Sequence, residues 1–244
     1  NADFDFSRNS SATRVGSNGL IQDVASNLPR IDYTGGVGSW KFEPQRTNLI
    51  TYSEDFSGYP TTNLNAISNQ NISPSGVLNG TFLRPTAVNG GHQIYKTTSL
   101  TAGTNTLSVF IKAGNYSKFR LYFYDGTTAH EVYGDSSNGT IHSTNSTVKV
   151  ESYGNDWYRY SVSATNATFS VSNYTIRITN ESYQDVWTAN GVDGLYIFGW
   201  QFESGSYPTS YIISNTGSAT TRLADVANNA GSSDLINSTE GVLY

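Results

Sequence analysis

The chain is predicted to be all-β, an antiparallel β-sandwich, and three observations carry that prediction. Apolar–polar alternation recurs at intervals of roughly 10 to 15 residues, with Gly, Asn or Asp between the segments, the rhythm of an antiparallel sandwich. Only 36% of the 244 residues are hydrophobic and 14% charged, so solubility rests on Ser, Thr, Asn and Gly, which favour turns and strands over long helices. The 17 tyrosines and 11 phenylalanines suit pleated surfaces and offer flat faces for contact.

Taken in order, residues 1–48 read as a turn-rich N-terminal arm. Short apolar pairs, as in "GLI" and "RIDY", stand between Asn-Gly and Gly-Gly turn signals, which predicts short strands. Residues 49–212 carry the stronger signals. In "TNTLSVFIKAG", Leu107, Val109 and Ile111 alternate against Ser108, Phe110 and Lys112, and "SKFRLYFYDG" follows a Gly-Asn turn, so a hairpin is expected there. "AHEVYGDSSNGTI", "STVKVESYGNDWYRYSVSA", "ATFSVSNYTIRIT" and "GLYIFGWQFESG" continue the series. On the last of these the period of two puts Tyr196, Phe198, Trp200 and Phe202 on one face. Pro208 then forbids ladder continuation and turns the chain out of the sheet.

Residues 213–244 form a second polar arm. "SSATRV" at 10–15 is echoed by "GSATTRLADV" at 217–226, which suggests that the two arms lie side by side beneath the sandwich. The terminal "EGVLY" is apolar and is expected to begin a further domain or dock on a neighbouring subunit, giving a homo-oligomer.

Composition also excludes. A net charge of −5 without basic runs argues against nucleic acid, and no apolar run approaches the roughly 20 residues of a membrane-spanning helix, so membrane insertion is not expected. With no cysteine there is no disulfide framework, thiol nucleophile or thiolate metal site. The missing start Met and leader read as a processed product or an excised piece. Sequons occur at Asn79, Asn115, Asn145 and Asn173, as any chain this rich in Asn, Ser and Thr produces. The acids Asp125, Asp135, Glu151, Asp156 and Asp185 stand singly on turns, and His92, His130 and His142 lack metal or triad spacing, so no catalytic residue is expected. "TGGVGSW" lacks the Lys of a phosphate loop.

The combination of "FSRNSSATRVGSNGLIQDVASNLPRIDY", "EPQRTNLITYSEDF", "WYRYSVSA", "YIFGWQFESGSYPTSYI" and "TRLAD" resembles a module of bacteriophage tail fibre and other virion appendage proteins, over about residues 4–228. The resemblance implies an N-terminal arm before a jelly-roll like those of carbohydrate-binding modules, a location on the virion surface or outside the cell, and a polysaccharide or cell-surface glycan as partner. Related jelly-rolls often hold a structural calcium, with one acid on the last strand and another near the first; this chain has Phe198 and Gly199 where the last strand's Asp is expected. Glu54, Asp55, Asp193 and Glu203 are the remaining candidate oxygens, and solvated loop carboxylates are the plainer account of them.

Sugar binding needs flat aromatic faces flanked by polar groups. On "KFRLYFYDG", Phe119, Leu121 and Phe123 point one way and Arg120, Tyr122 and Tyr124 the other. With Glu131 and Tyr133 of "HEVYG" alongside, the face would be a glycan site; the alternative is an ordinary outer face covered by the N-terminal arm. Trp187, in a polar loop, is a further candidate contact; Trp200 reads as core, Trp157 as core or sheet edge, and Trp40 as a clamp for the arm. The leading expectation is a non-enzymatic carbohydrate-binding module. The rivals are a filament or capsid-decoration subunit assembled through its arms, and a polysaccharide-degrading enzyme or its accessory domain.

Overall fold

Strand follows strand from Asp5 to Asn228, and no helix forms among the residues described in this computed structural model, 4–99, 102–166 and 171–229. The N-terminal arm holds β1 (Asp5–Ser7), β2 (Ala12–Val15), β3 (Ile21–Val24), β4 (Arg30–Asp32), β5 (Ser39–Lys41) and β6 (Arg46–Asn48). The sandwich runs through β7 (Thr61–Thr62), β8 (Leu64–Ile72), β9 (Leu78–Pro85), β10 (Asn89–Gly90), β11 (His92–Ser99), β12 (Gly103–Lys112), β13 (Lys118–Tyr124) and β14 (Ala129–Asp135). It continues with β15 (Thr140–Thr144), β16 (Thr147–Ser152), β17 (Trp157–Asn166), β18 (Val171–Ile178), β19 (Trp187–Thr188) and β20 (Leu195–Ser204). The C-terminal arm contributes β21 (Thr220–Arg222) and β22 (Val226–Asn228); the terminal "EGVLY" lies outside the described residues.

Two six-stranded antiparallel sheets stack as a jelly-roll sandwich: a front sheet, β15-β14-β13-β18-β11-β7, and a back sheet, β16-β17-β12-β20-β9-β8. Their inner faces supply the core. Phe119, Leu121, Phe123, Tyr174, Ile176 and Ile178 come from the front, and Leu107, Val109, Ile111, Tyr160, Val162, Trp200 and Phe202 from the back, all fully buried. Ring contacts tie the layers, with Tyr174 stacked on Phe202 at 4.2 Å and Phe119 edge-on to Tyr160 at 4.7 Å. Each such side chain contributes about 1.5–3 kcal/mol through burial.

Two expectations are corrected. The hairpin expected between β12 and β13 does not form: β12 pairs with β17 and β20, β13 with β14 and β18, so the Gly114-Asn115 connection crosses from one sheet to the other. It is pinned by Tyr116 N–H donating to Gly194 O at 3.1 Å. The single face of Tyr196, Phe198, Trp200 and Phe202 is also broken. Ser108 faces Gln201 while Phe110 faces Phe198, so Val109 opposes two residues, Gly199 and Trp200, in a bulge. One extra residue reverses the phase of a period-two strand. Ile197 therefore joins Trp200 and Phe202 in the core, and Phe198 points out of the back sheet. Gly199 makes the turn at φ +63°, the left-handed region that favours glycine.

The back sheet's outer face is apolar where Phe110, Trp157 and Phe198 emerge, and the N-terminal arm and the segment after β20 cover it. Ile21 of β3 and Tyr211 of the segment after β20 close over these rings. That segment is held by Glu203, which accepts from Thr209 N–H (2.9 Å) and Oγ1 (2.7 Å), by Gln201 Oε1 from Ile212 N–H (2.7 Å), and by Arg159 Nη1 donating to Thr209 O (2.7 Å). Strand pairs β1–β22 and β6–β21 bind arm to arm.

A buried ionic cluster completes the closure. Glu43 accepts from Arg30 Nη1 (2.8 Å), Arg222 Nη1 (2.7 Å) and Ser210 N–H (2.8 Å), and Asp225 accepts from Arg8 Nη1 (2.9 Å), Arg30 and Glu43 N–H. Burial opposes ionisation of Glu43, but the charges of Arg222 and Arg30 prevail and hold its pKa at about 2.

Because that value lies below the ordinary 4.5, the stabilisation is fully present above pH 4.5 and is lost as pH falls towards 2. Glu43→Gln is expected to unfold about 3 kcal/mol more easily at neutral pH, with the gap from wild type closing across that acid window in denaturant titrations. Gly199→Ala places a Cβ 2.8 Å from Phe110 Cδ2. With its left-handed backbone this is expected to cost about 2–4 kcal/mol, and an unchanged denaturation midpoint would refute the bulge geometry.

Candidate functional site

The front sheet's outer face is built by register. Arg120 sits between Tyr133 on β14 and Arg177 on β18, whose other neighbour is Gln93 on β11. One pleat along, Glu131, Tyr122, Thr175 and Tyr95 form the next row, and Ala129, Tyr124, Asn173 and Thr97 the one after. Alternation sends these side chains outward because Phe119, Leu121, Phe123, Tyr174 and Ile176 take the inward positions. Thr175 is only 1% exposed, so it forms the floor between Tyr95 and Tyr122, which stand two strand spacings apart, roughly 10 Å. Tyr122 and Tyr133 are half-buried and Tyr124 is 37% exposed.

Charges on this face are interlocked. Arg120 Nε donates to Glu131 Oε2 at 2.7 Å and Nη2 to the same oxygen, while Nη1 reaches Asp185 Oδ2 at 2.7 Å. Arg177 Nη1 donates to that same Asp185 oxygen at 2.8 Å, and its Nε to Gln93 Oε1 at 3.0 Å. The Arg120 guanidinium lies 4.3 Å from the Tyr122 ring centroid and 5.4 Å from that of Tyr133, cation–π distances that steady both rings. Burial pulls the pKa of Arg120 down, but the hydrogen bond to Glu131 and the charge of Asp185 outweigh it and the net direction is up. Burial pushes the Tyr133 hydroxyl up to about 12 against the pull of Arg120, with Asp185 and Glu131 adding to the rise. Tyr133 therefore remains a donor, 3.3 Å from Asp185 Oδ2. At one end Tyr183 stacks on His142 at 3.8 Å.

The structure thus brings together Arg120, Tyr122, Tyr124, Glu131 and Tyr133, and adds Gln93, Tyr95, Arg177 and Asp185, which pattern reading left out of the site. The alternation of "HQIYKTTS" and "VSNYTIRI" carries the signal for Tyr95 and Arg177, but only the pairing of β11, β18 and β13 makes them neighbours. The N-terminal arm meets the sandwich at the back sheet, through Ile21 and Asn48, as does Tyr211 of the segment after β20, and this front face has no arm over it among the described residues.

Trp187 stands elsewhere. Its ring lies edge-on to His92 and Tyr116, each at 5.1 Å, packs against the core, and donates through Nε1 to Ile178 O at 3.2 Å. Trp157 and Trp200 are fully buried, and Trp40, 47% exposed, meets Phe4 at 5.4 Å within the arms rather than the sandwich. The four candidate calcium ligands are not brought into one cage. Glu54 bonds Tyr211 and Asn215, Asp55 closes an Asx turn with Ser57, Asp193 bonds Asn115 and Asn190, and Glu203 holds Thr209. Among the described residues no three His, Asp or Glu side chains form a group that could hold a metal ion.

Fold and site together define a β-sandwich module with one outer face covered by its own arms and the other left bare, tyrosine-rich and polar. No protein-family model matches the sequence, and no curated protein matches it. Among solved structures the chain is similar to TmCBM61 in complex with β-1,4-galactotriose (TM-score 0.40, 10% identity, 64% of this chain and 97% of that one). It is also similar to the enzymatically active domain of bacteriophage CBA120 tailspike protein 4 (TM-score 0.40, 11% identity, 64% of this chain and 21% of that one). A third is the CBM22-1–GH10 portion of Clostridium thermocellum xylanase 10B complexed with xylohexaose (TM-score 0.39, 14% identity, 70% of this chain and 30% of that one). At such identities and TM-scores the fold assignment rests on the strand register described above.

Ultraviolet titration should separate Tyr133 from ordinary phenols: the difference between wild type and Tyr133→Phe is expected to show a phenolate step near pH 12. A step near pH 10 would contradict the burial and charge environment given for this hydroxyl.

Proposed function

We propose that the front face binds a cell-surface or extracellular polysaccharide without cleaving it, as a module of a phage tail fibre or related virion appendage. The observation that carries the reading is the row of Tyr95 and Tyr122 over a Thr175 floor, with Arg120 fixing the ring between two carboxylates. Flat rings take the C–H side of a pyranose, and the surrounding hydroxyl and amide groups reach its hydroxyls. The virion setting is supported by the sequence resemblance of the arms and the exit segment. Absence of cleavage is supported by the acids themselves: Glu131 and Asp185 converge on one guanidinium instead of facing each other across a bond. A shallow strip of this kind would bind on the order of 0.1–1 mM, and repetition in a homo-oligomer would supply avidity.

A second reading, assembly of a filament or capsid decoration, is favoured by one observation. Trp40 and Phe42 are 47% and 46% exposed and cluster with Phe4 and with Phe6, which lies on β1, the strand that pairs with β22. An apolar patch at the meeting of the two arms suits contact with a neighbour.

In affinity electrophoresis through a panel of polysaccharides, wild type is expected to be retarded by at least one. Tyr122→Ala is expected to weaken that retardation tenfold or more, the ~1.4 kcal/mol expected for one stacking ring. Trp187→Ala is expected to keep the retardation while losing about 3 kcal/mol of stability. Full retention by Tyr122→Ala with loss in Trp187→Ala would move the site from the tyrosine row to the surroundings of Trp187.

A further inference from the structure

Three cations point outward from the front sheet among the described residues, Lys118, Arg120 and Arg177, and each is already matched. Lys118 meets Asp135, Arg120 meets Glu131 and Asp185, and Arg177 meets Asp185. The matching extends to single nitrogens. Arg120 spends Nε and Nη2 on Glu131 and Nη1 on Asp185; Arg177 spends Nε and Nη2 on Gln93 and Nη1 on Asp185. Recognition of a sugar carboxylate or sulfate draws on a guanidinium fork that is open to the ligand. Here such an anion would have to displace Glu131 from Arg120 or the Gln93 amide from Arg177, and in either place it would lie beside the Asp185 carboxylate, a like charge. By contrast, the Tyr95 and Tyr122 hydroxyls have no hydrogen-bond partner among the described residues, and both rings are partly exposed. The groups left for a ligand are thus uncharged.

Resting on the carbohydrate reading above, we propose that the ligand is an uncharged polysaccharide, held by Tyr95 and Tyr122, and that Asp185 sets this preference by occupying Arg120 and Arg177. Asp185 acts as a positioning residue: it comes from the loop after β18, touches both guanidinium groups and the Tyr133 hydroxyl, and together with Glu131 brings the two cations to net neutrality.

The experiment is affinity electrophoresis of wild type, Asp185→Asn and Tyr122→Ala through β-1,4-galactan, xylan and dextran as neutral probes and polygalacturonate as the acidic one, at low and high salt. Wild type is expected to be retarded by a neutral probe, equally at both salt concentrations, and not by polygalacturonate. Asp185→Asn is expected to gain polygalacturonate binding about tenfold above wild type, and to lose that gain in high salt. Salt-sensitive binding of wild type to polygalacturonate, exceeding that to any neutral probe, would overturn the neutral preference while leaving the carbohydrate reading intact. A folded Asp185→Asn that gains nothing would overturn the role given to Asp185. No retardation of wild type by either class would overturn the carbohydrate reading itself, and the wild-type salt comparison stands even if Asp185→Asn fails to fold.

Discussion

Phe110, Trp157 and Phe198 emerge on the outside of the back sheet, and keeping water from them is the constraint on which the rest of the architecture depends. An antiparallel sheet tolerates one solvated face only when that face is polar, and this one is not. The chain after β20 therefore folds back, seating Tyr211 beside Phe110 and Phe198, and the first arm brings Ile21 to the same rings. The back face is closed in this way, and the front face has no arm over it among the described residues.

The closure uses buried ions rather than an apolar plug, and the irregular backbone of the arms supplies a reason. Segments without long ladders carry carbonyls that need donors, and a guanidinium offers five. Arg8 reaches Ala25 O, Arg30 reaches Thr13 O and Arg222 reaches Pro44 O, while Glu43 and Asp225 offset two of the three charges. Such a cluster costs desolvation, so it adds less to net stability than its short distances suggest. Removing one member strands the others, and that is where its energetic weight lies.

The front face solves the opposite problem, remaining wet without becoming sticky. Tyrosine presents a flat ring and a hydroxyl, and the arginines between the rings are neutralised by carboxylates from β14 and from the loop after β18. Strands of a packed sandwich hold these groups in fixed register, so a ligand would meet rings that are already oriented and lose little side-chain freedom on binding. Rigidity here comes from the core beneath: Leu121 and Phe123 lock the strand whose other side carries Tyr122 and Tyr124.

The sequence by itself determined the all-β class, the inward set Phe119, Leu121 and Phe123, and the outward set Arg120, Tyr122 and Tyr124, because each depends on local backbone preference and a period of two; the ladder of β20 ends at Ser204, before Gly205, rather than at Pro208. It also made Trp200 legible as core, although the face it shares was misread: a bulge at Gly199 shifts phase without leaving a mark on alternation. Tertiary structure alone decided which strands are neighbours, placing β12 and β13 in different sheets and bringing Arg177, Tyr95 and Asp185 to Tyr122. It also decided that Trp187, in polar surroundings along the chain, has a core to lean on, and that the arms close the back rather than the front. Pairing and covering are long-range choices, settled by which apolar surfaces fit together, and alternation along one strand carries no record of its partner.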